Sequence, residues 1–374
     1  MKQQNQPQQY SPENPPMYSS NDEIDLRELL KALWDGKLII ILVTALFTVS
    51  SVGIALLAQE WWSSDAKITK PQPQDLATYQ QQVRQFQPVF NIYQEDGTIL
   101  VSKELDSLVS SGVLFQRFIN AFNSTNNKRS FLDNSAEFQE LKVATTDSGS
   151  NLTEDEARVL YAGWFERISA SKADKKDQNS PYFISFQTMS KESSFDLLTT
   201  YISETESKVH QDAFNNLQAV ISGKRNELIQ QKRILESQAK NQLLVETERA
   251  KYAVAIAKAA GVDKPIQIGN DNELFSIDLG FQGLDAKIQA LESIKNLSVI
   301  EPRLQQINAK LDMLSNLDID RTVEFKTFRF LENVAQPITR DKPKRSLIVV
   351  LGTLLGGMLG VVIVLIRFAF RKAD

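Results

Sequence analysis

Cysteine is absent from the chain, which removes disulfides, thiolate zinc sites, iron–sulfur clusters and cysteine nucleophiles together. Histidine occurs once, as His210. A lone imidazole cannot build a metal site unless carboxylates join it from elsewhere, so His210 reads as a solvated helix residue and not as a catalyst. No G-x-x-x-x-G-K-S/T stretch occurs, and no G-x-G-x-x-G follows a strand, so phosphate-loop and dinucleotide readings fall away. The 46 acidic residues make some carboxylate pair inevitable, and no glycosidase-like pair can be inferred from them. A net charge of −4, with Lys and Arg spread among acids, leaves no basic face for nucleic acid. No cofactor and no metal is expected.

What is present is strongly partitioned. The mean hydropathy of −0.27 hides two uncharged apolar blocks, 38–57 and 346–366, each about 20 residues and long enough to cross a bilayer core of roughly 30 Å. The first block begins after 37 residues and exits through Ala58-Gln59-Glu60-Trp61-Trp62. A cleaved signal starts nearer the N-terminus and ends in a small-x-small site, so this block reads as a retained anchor. The paired tryptophans suit a membrane–water interface. Arg27, Lys31 and Lys37 precede the first block, and Arg367, Arg371 and Lys372 follow the second. The positive-inside tendency therefore puts both ends in the cytoplasm and the middle in the periplasm. Lys342, Lys344 and Arg345 point the other way, but they close a long translocated region, where charge weighs less.

The expected organisation follows from these blocks. Residues 1–37 form a cytoplasmic tail, first a Gln-, Asn- and Pro-rich disordered stretch and then a short amphipathic helix. Ser20-Asn21-Asp22-Glu23 fits a capping box for that helix. Its apolar side, Ile24, Leu29, Leu30, Leu33 and Trp34, either lies along the inner leaflet or extends the first span. Residues 58–345 form the periplasmic domain, with an α/β base over about 58–192 and 315–345. Residues 367–374 are a second cytoplasmic tail.

Within the base, Asp65 to Thr69 reads as a strand ended by Pro71 and Pro73. Leu105, Leu108, Phe115, Phe118, Ile119 and Phe122 recur at helical spacing, Ser171 to Ser180 reads as a polar loop, and Tyr182 to Thr188 alternates as a strand. From 193 to 260 there is no proline and one glycine, Gly223, while Leu198, Ile202, Val209, Leu217, Ile221, Leu228, Leu235 and Leu244 recur near three, four or seven. This predicts one helix on the order of 100 Å long, ended by Gly261 with Pro265 beyond it. A return helix follows over about 284–314, with Pro302 as a kink or as the first residue of a new helix. Phe325, Thr327, Phe328 and Phe330 suggest a strand that pairs near 65–69. Pro337 and Pro343 lead in extended form to the second span.

The strongest short motif lies in that span. Gly352, Gly356 and Gly360 are each four apart, with Gly357 beside them, and such a strip lets another helix approach closely. The first span, a sister subunit or a partner protein could fill the role. Asn123-Ser124-Thr125, Asn151-Leu152-Thr153 and Asn296-Leu297-Ser298 match the glycosylation sequon, a tripeptide common by chance.

The chain resembles the Wzz-type O-antigen chain-length determinants, the class 1 polysaccharide co-polymerases. The resemblance rests on Glu23-Ile24-Asp25-Leu26 with Leu33-Trp34 before the first span. It rests also on Tyr252-Ala253-Val254-Ala255-Ile256-Ala257-Lys258-Ala259-Ala260-Gly261, on Phe275-Ser276-Ile277-Asp278-Leu279-Gly280, and on Pro337 and Pro343 before the glycine-rich span. It implies an α+β membrane protein in which two transmembrane helices flank a periplasmic α/β base with a very long projecting helix and a return helix. It also implies ring-like homo-oligomers in the inner membrane that work, without enzymatic activity, beside a Wzy-type polymerase on lipid-linked glycan. Related co-polymerases carry a cytoplasmic tyrosine kinase, for which the eight residues after Ile366 leave no room. The same shortness disfavours a two-span sensor, and a periplasmic hydrolase would need an acid–base constellation. Another surface polysaccharide, such as enterobacterial common antigen, is the alternative substrate.

Overall fold

The computed structural model describes residues 26–94, 96–145, 153–177, 179–266 and 275–373; the expected capping box at Ser20 to Glu23 lies outside them. The chain forms two compact units, one of Met1–Trp62 with Thr339–Asp374, the other of Ser63–Ile338.

In the first unit, α1 (Leu26–Asp35) turns at Gly36 into α2 (Lys37–Leu57), and α13 (Arg345–Ala373) runs back along α2. Both α2 and α13 are long and apolar enough to cross a membrane. The amide of Gly36 still donates to the Ala32 carbonyl, at 2.9 Å, yet α1 and α2 are separate helices. Helix α13 continues well past the apolar block 346–366, because Arg367 to Ala373 keep helical hydrogen bonding beyond the last aliphatic run.

The second unit is built on a four-stranded sheet of order β4-β5-β1-β6, formed by β1 (Trp62–Thr69), β4 (Ile168–Lys172), β5 (Tyr182–Thr188) and β6 (Arg329–Ala335). A separate hairpin joins β2 (Ile92–Tyr93) to β3 (Ile99–Leu100). Short helices fill the space between: α3 (Ala77–Arg84), α4 (Gln87–Phe90), α5 (Asp106–Val109), α6 (Ser111–Asn123), α7 (Thr125–Asn134), α8 (Ala136–Thr145) and α9 (Glu154–Phe165). Strand β5 occupies the expected residues. Strand β1 starts three residues early, and β6 pairs with it antiparallel as expected, Ile68 opposite Phe330.

Two expectations need correction. The stretch from Ser171 to Ser180 is not all loop, since Ser171 and Lys172 belong to β4 and stand opposite Phe183 and Tyr182. Pairing with β5 makes a strand of a polar segment that has no alternation of its own. Phe325 and Phe328 are not strand residues. They are 3% and 4% exposed and plug the interior just before β6 begins. Of the two readings open for Pro302, the structure takes the new helix: the return run is α11 (Gly280–Ser293) and α12 (Arg303–Asn316), with a 3-10 turn at Leu297–Val299 between them. Pro302 caps the second, where its missing amide costs nothing.

Helix α10 (Lys191–Ala259) runs unbroken for 69 residues, about 100 Å at 1.5 Å per residue. Its start is fixed by Ser190, whose hydroxyl accepts from the Ser193 amide at 3.1 Å and satisfies one orphan donor. Its end is fixed by Gly261 at φ +68°. There the Val262 amide reaches back to the Ala257 carbonyl at 2.9 Å and the Gly261 amide to that of Lys258 at 3.3 Å, the paired bonds of a Schellman motif.

Two packed regions grip the N-terminal half of α10. Leu198, Tyr201 and Ile202 enter a core of sheet residues Ile68, Ile184 and Phe186 with Phe118, Phe122 and Trp164 from the short helices. Phe214, Leu217 and Ile221 enter a second with Tyr79, Phe86 and Leu314. Farther on, the alanines of the segment Tyr252 to Gly261 gain a reason: Ala253 and Ala257 are buried against Leu284 of α11. Phe275 meets the Tyr252 ring edge-on at 5.8 Å, and the Ile266 amide donates to the Asp278 carbonyl at 2.9 Å. The two segments quoted for the resemblance therefore pack on each other.

Candidate functional site

The glycines of α13 lie against α2. A Cβ built on Gly352 would sit 2.5 Å from Cβ of Ser51, one on Gly356 would sit 2.7 Å from Cβ of Phe47 and 3.0 Å from Cα of Thr44, and one on Gly360 would sit 2.9 Å from Cα of Ile40. Only glycine permits backbones this close. Gly357 differs, since its Cβ would meet only the Thr44 hydroxyl, at 3.8 Å. Of the partners the motif allowed, the first span is thus the helix that fills the seam within one chain.

Polar side chains in the seam are satisfied locally, as a hydrocarbon medium demands. The Thr44 hydroxyl donates to the Ile40 carbonyl at 2.7 Å, and that of Ser51 to the Thr48 carbonyl at 2.8 Å. The hydroxyls of Thr48 and Thr353 meet across the helices at 3.0 Å. In sequence these threonines and Ser51 look like ordinary span residues. Only the facing glycines mark them, and those lie about 300 positions away.

One end of the pair carries a charge cluster that the sequence reading missed. The Glu60 carboxylate accepts from Arg340 Nη1 at 3.0 Å and from Arg345 Nη2 at 2.8 Å. Arg345 Nε also donates to the Ala55 carbonyl, at 3.0 Å, closing the last turn of α2. The Trp61 amide donates to the Lys342 carbonyl at 3.0 Å, and the Asp341 amide to that of Trp61 at 2.9 Å. Pro343 thus sits in a short strap beside this cluster, whereas Pro337 belongs to the other compact unit, after β6. An acid directly after an apolar run, with basic residues directly before the next, was the available signal.

His210 is not a solvated residue. Its ring lies 4.2 Å from that of Phe325 and tilted against it, and its Nε2 is buried with no hydrogen-bond partner among the described residues. Burial pushes its pKa below the ordinary value. Glu206, a bond to the Phe325 backbone and Glu324 act against that shift, and Lys326 adds to it. A depressed pKa means that the unfolded chain binds the proton more readily. Stability should therefore be complete above the unfolded value of about 6.5 and decline as pH falls from there to the folded pKa. Thermal unfolding of the full chain between pH 7.5 and 5.5 should show this decline, and His210→Gln should lessen it. Equal pH dependence in the two proteins would contradict the assignment. Among the described residues no group of His, Asp and Glu is placed to hold a metal ion.

Comparison with known proteins agrees with this architecture. The family model described as "Chain length determinant protein" (Wzz) matches residues 22–112, and GNVR, a G-rich domain named for tyrosine kinases, matches 304–369. The chain is 27% identical to the "Ferric enterobactin transport protein FepE" of Escherichia coli K12, over 97% of this chain and 94% of that one. It is also 27% identical to the "Chain length determinant protein" of Shigella dysenteriae, over 94% of both chains. A solved "full-length bacterial polysaccharide co-polymerase" superposes with a TM-score of 0.60 at 24% identity, covering 94% of this chain and 99% of that one. That likeness establishes the fold.

Proposed function

From a chain that carries the Wzz chain-length-determinant domain on a polysaccharide co-polymerase fold, we propose a regulator of surface-polysaccharide chain length, with lipopolysaccharide O-antigen as the polymer. The observation that carries this reading is the alignment with chain length determinant proteins over 94% of the chain. Enterobacterial common antigen is the alternative polymer.

In this reading the protein sits in the inner membrane with both termini cytoplasmic and residues 58–345 periplasmic. It forms a homo-oligomer and works with a Wzy-type polymerase. Control rests on binding and not on bond chemistry: α10 offers a surface about 100 Å long to a growing lipid-linked glycan. Ile234, Leu244, Val245 and Tyr252 are exposed on it, apolar side chains that neighbouring copies would cover. The glycine seam fixes the span pair that a membrane-embedded polymerase would meet.

The test is the glycan profile of a strain lacking the protein. Polymerisation should persist while the preferred length range gives way to a broad, mostly short distribution. An unchanged preferred length would refute the regulatory role. Hydrolysis or extension of lipid-linked glycan by the purified protein alone would refute the non-enzymatic account.

A further inference from the structure

At the end of the span pair opposite Glu60, a cavity of about 570 Å³ opens between α1, the first turns of α2 and the last turns of α13. This lies within the roughly 300–1,000 Å³ usual for small-molecule sites. Its polar lining is Glu28, Lys31, Asp35 and Arg367, and Ile39 and Phe368 are among its apolar lining. The junction that forms it is fixed: a Cβ on Gly36 would lie 2.5 Å from a methyl of Val364, so the turn from α1 to α2 presses directly on α13.

Surrounding side chains set the depth of this cavity in a bilayer. Leu30 and Trp34 of α1 are 61% and 72% exposed, and the exposed apolar surface continues through Leu38, Ile41 and Leu42 of α2. The Lys37 ammonium stands 4.8 Å from the centre of the Trp34 ring. An aromatic ring with a cation beside it, at the end of an apolar span, marks the level where hydrocarbon gives way to headgroups. The cavity therefore faces headgroups with its four charged residues and acyl chains with Ile39 and Phe368.

The charges select among headgroups. Lys31 and Arg367 suit a phosphate, Arg through its forked donors. Asp35 suits a cation that can donate hydrogen bonds. An anionic headgroup would answer Lys31 and Arg367 and be repelled by Asp35. A headgroup carrying both signs answers all three. A quaternary ammonium supplies charge without N–H groups, so a primary ammonium is the better match. We propose that this cavity binds a zwitterionic phospholipid with a primary ammonium, of the phosphatidylethanolamine class, taken from the surrounding bilayer.

The experiment uses the full chain in detergent, titrated with short-chain phosphatidylethanolamine, phosphatidylglycerol or phosphatidylcholine. Thermal unfolding and native mass spectrometry supply the readouts. A lipid that binds only the folded chain raises Tm by an amount that grows with the logarithm of its concentration above Kd. Phosphatidylethanolamine should raise Tm and stay bound in the gas phase, while the other two lipids do so weakly or not at all. Asp35→Asn and Arg367→Gln should each abolish the shift, read against the variant's own lipid-free Tm so that altered folding is separated from lost binding. Lys31→Gln serves as the replacement if either variant fails to fold. An equal shift with phosphatidylglycerol would reduce the site to a phosphate contact and overturn the proposal. An equal shift with phosphatidylcholine, no shift with any lipid, or a full shift in the variants would overturn it as well.

Discussion

Gly356→Leu should force the two apolar helices apart and slow any cross-link made between them. A Cβ at that position already lies 2.7 Å from Cβ of Phe47 and 3.0 Å from the backbone of Thr44. Neither atom is the free end of a flexible side chain, so the helices must move. Overpacking of this kind costs about 1–3 kcal/mol, while leucine itself enters lipid without difficulty. The absence of cysteine gives a clean background for the test. With Thr48→Cys and Thr353→Cys, whose parent hydroxyls are 3.0 Å apart, oxidation should join the helices readily in the otherwise native chain and slowly once Gly356→Leu is added. Gly357→Ala, which meets only an ordinary contact at 3.8 Å, should cross-link like the parent. Equal rates for all three would mean that the seam is not a close-packed one. If the proposed function holds, Gly356→Leu also disturbs the glycan length profile while the larger unit stays folded.

The second large effect is expected in the base, where Tyr201→Ala should lower stability by roughly 3–5 kcal/mol, the usual cost of removing a large buried aromatic side chain. Tyr201 is 1% exposed. Its ring lies 4.7 Å from that of Phe122 and 4.9 Å from that of Phe131, and its hydroxyl donates to the Phe122 carbonyl at 2.8 Å. It joins α10 to α6, α7 and the sheet at once, so the cavity it leaves has no single element free to collapse into it. Tyr201→Phe keeps the ring and loses one hydrogen bond, a cost of about 1 kcal/mol with more for the stranded carbonyl. Thermal or denaturant unfolding of the full chain in detergent should rank parent, Tyr201→Phe and Tyr201→Ala in that order. Tyr201→Ala unfolding with the parent would show that this junction does not hold the base together.

The contrast between what the sequence disclosed and what it concealed has a physical pattern. Helix α10 was legible because its repeat persists through dozens of residues without proline and because Gly261 supplies a positive-φ stop. Strand β5 was legible because Tyr182, Ile184 and Phe186 alternate. Strand β4 was hidden, since Ser169 and Ser171 become strand residues only by pairing with Ser185 and Phe183. His210 misled for a related reason: the ring that covers it, Phe325, arrives from a segment more than a hundred residues away. At the candidate site the glycine spacing named one side of the seam, and the receiving side on α2 has no local signature. Arg345 on Glu60 and Arg367 near Asp35 likewise arrive only when α13 is laid along α2.

The residues that α10 buries change character along its length, and that change divides one helix into two regimes. From Leu198 to Leu228 the buried positions include leucine, isoleucine, tyrosine and phenylalanine, whereas from Ala239 to Ala257 they are four alanines and Thr247. Burial of apolar surface stabilises by about 25 cal/mol per Å², so each alanine contributes only a fraction of what each leucine does. From Lys232 onward its ion pairs run mostly along the helix itself, such as Lys232 with Glu236 and Arg249 with Glu246, with Lys251 also reaching Glu292 of α11. Cooperative units within a protein open in order of their own packing. The C-terminal half, with α11, can therefore fray or bend at a smaller free-energy cost than the N-terminal half, which is locked into the base. A single unbroken helix is in this respect an anchored post with a compliant tip, and mechanical load applied to the tip would be absorbed there before it reached the base.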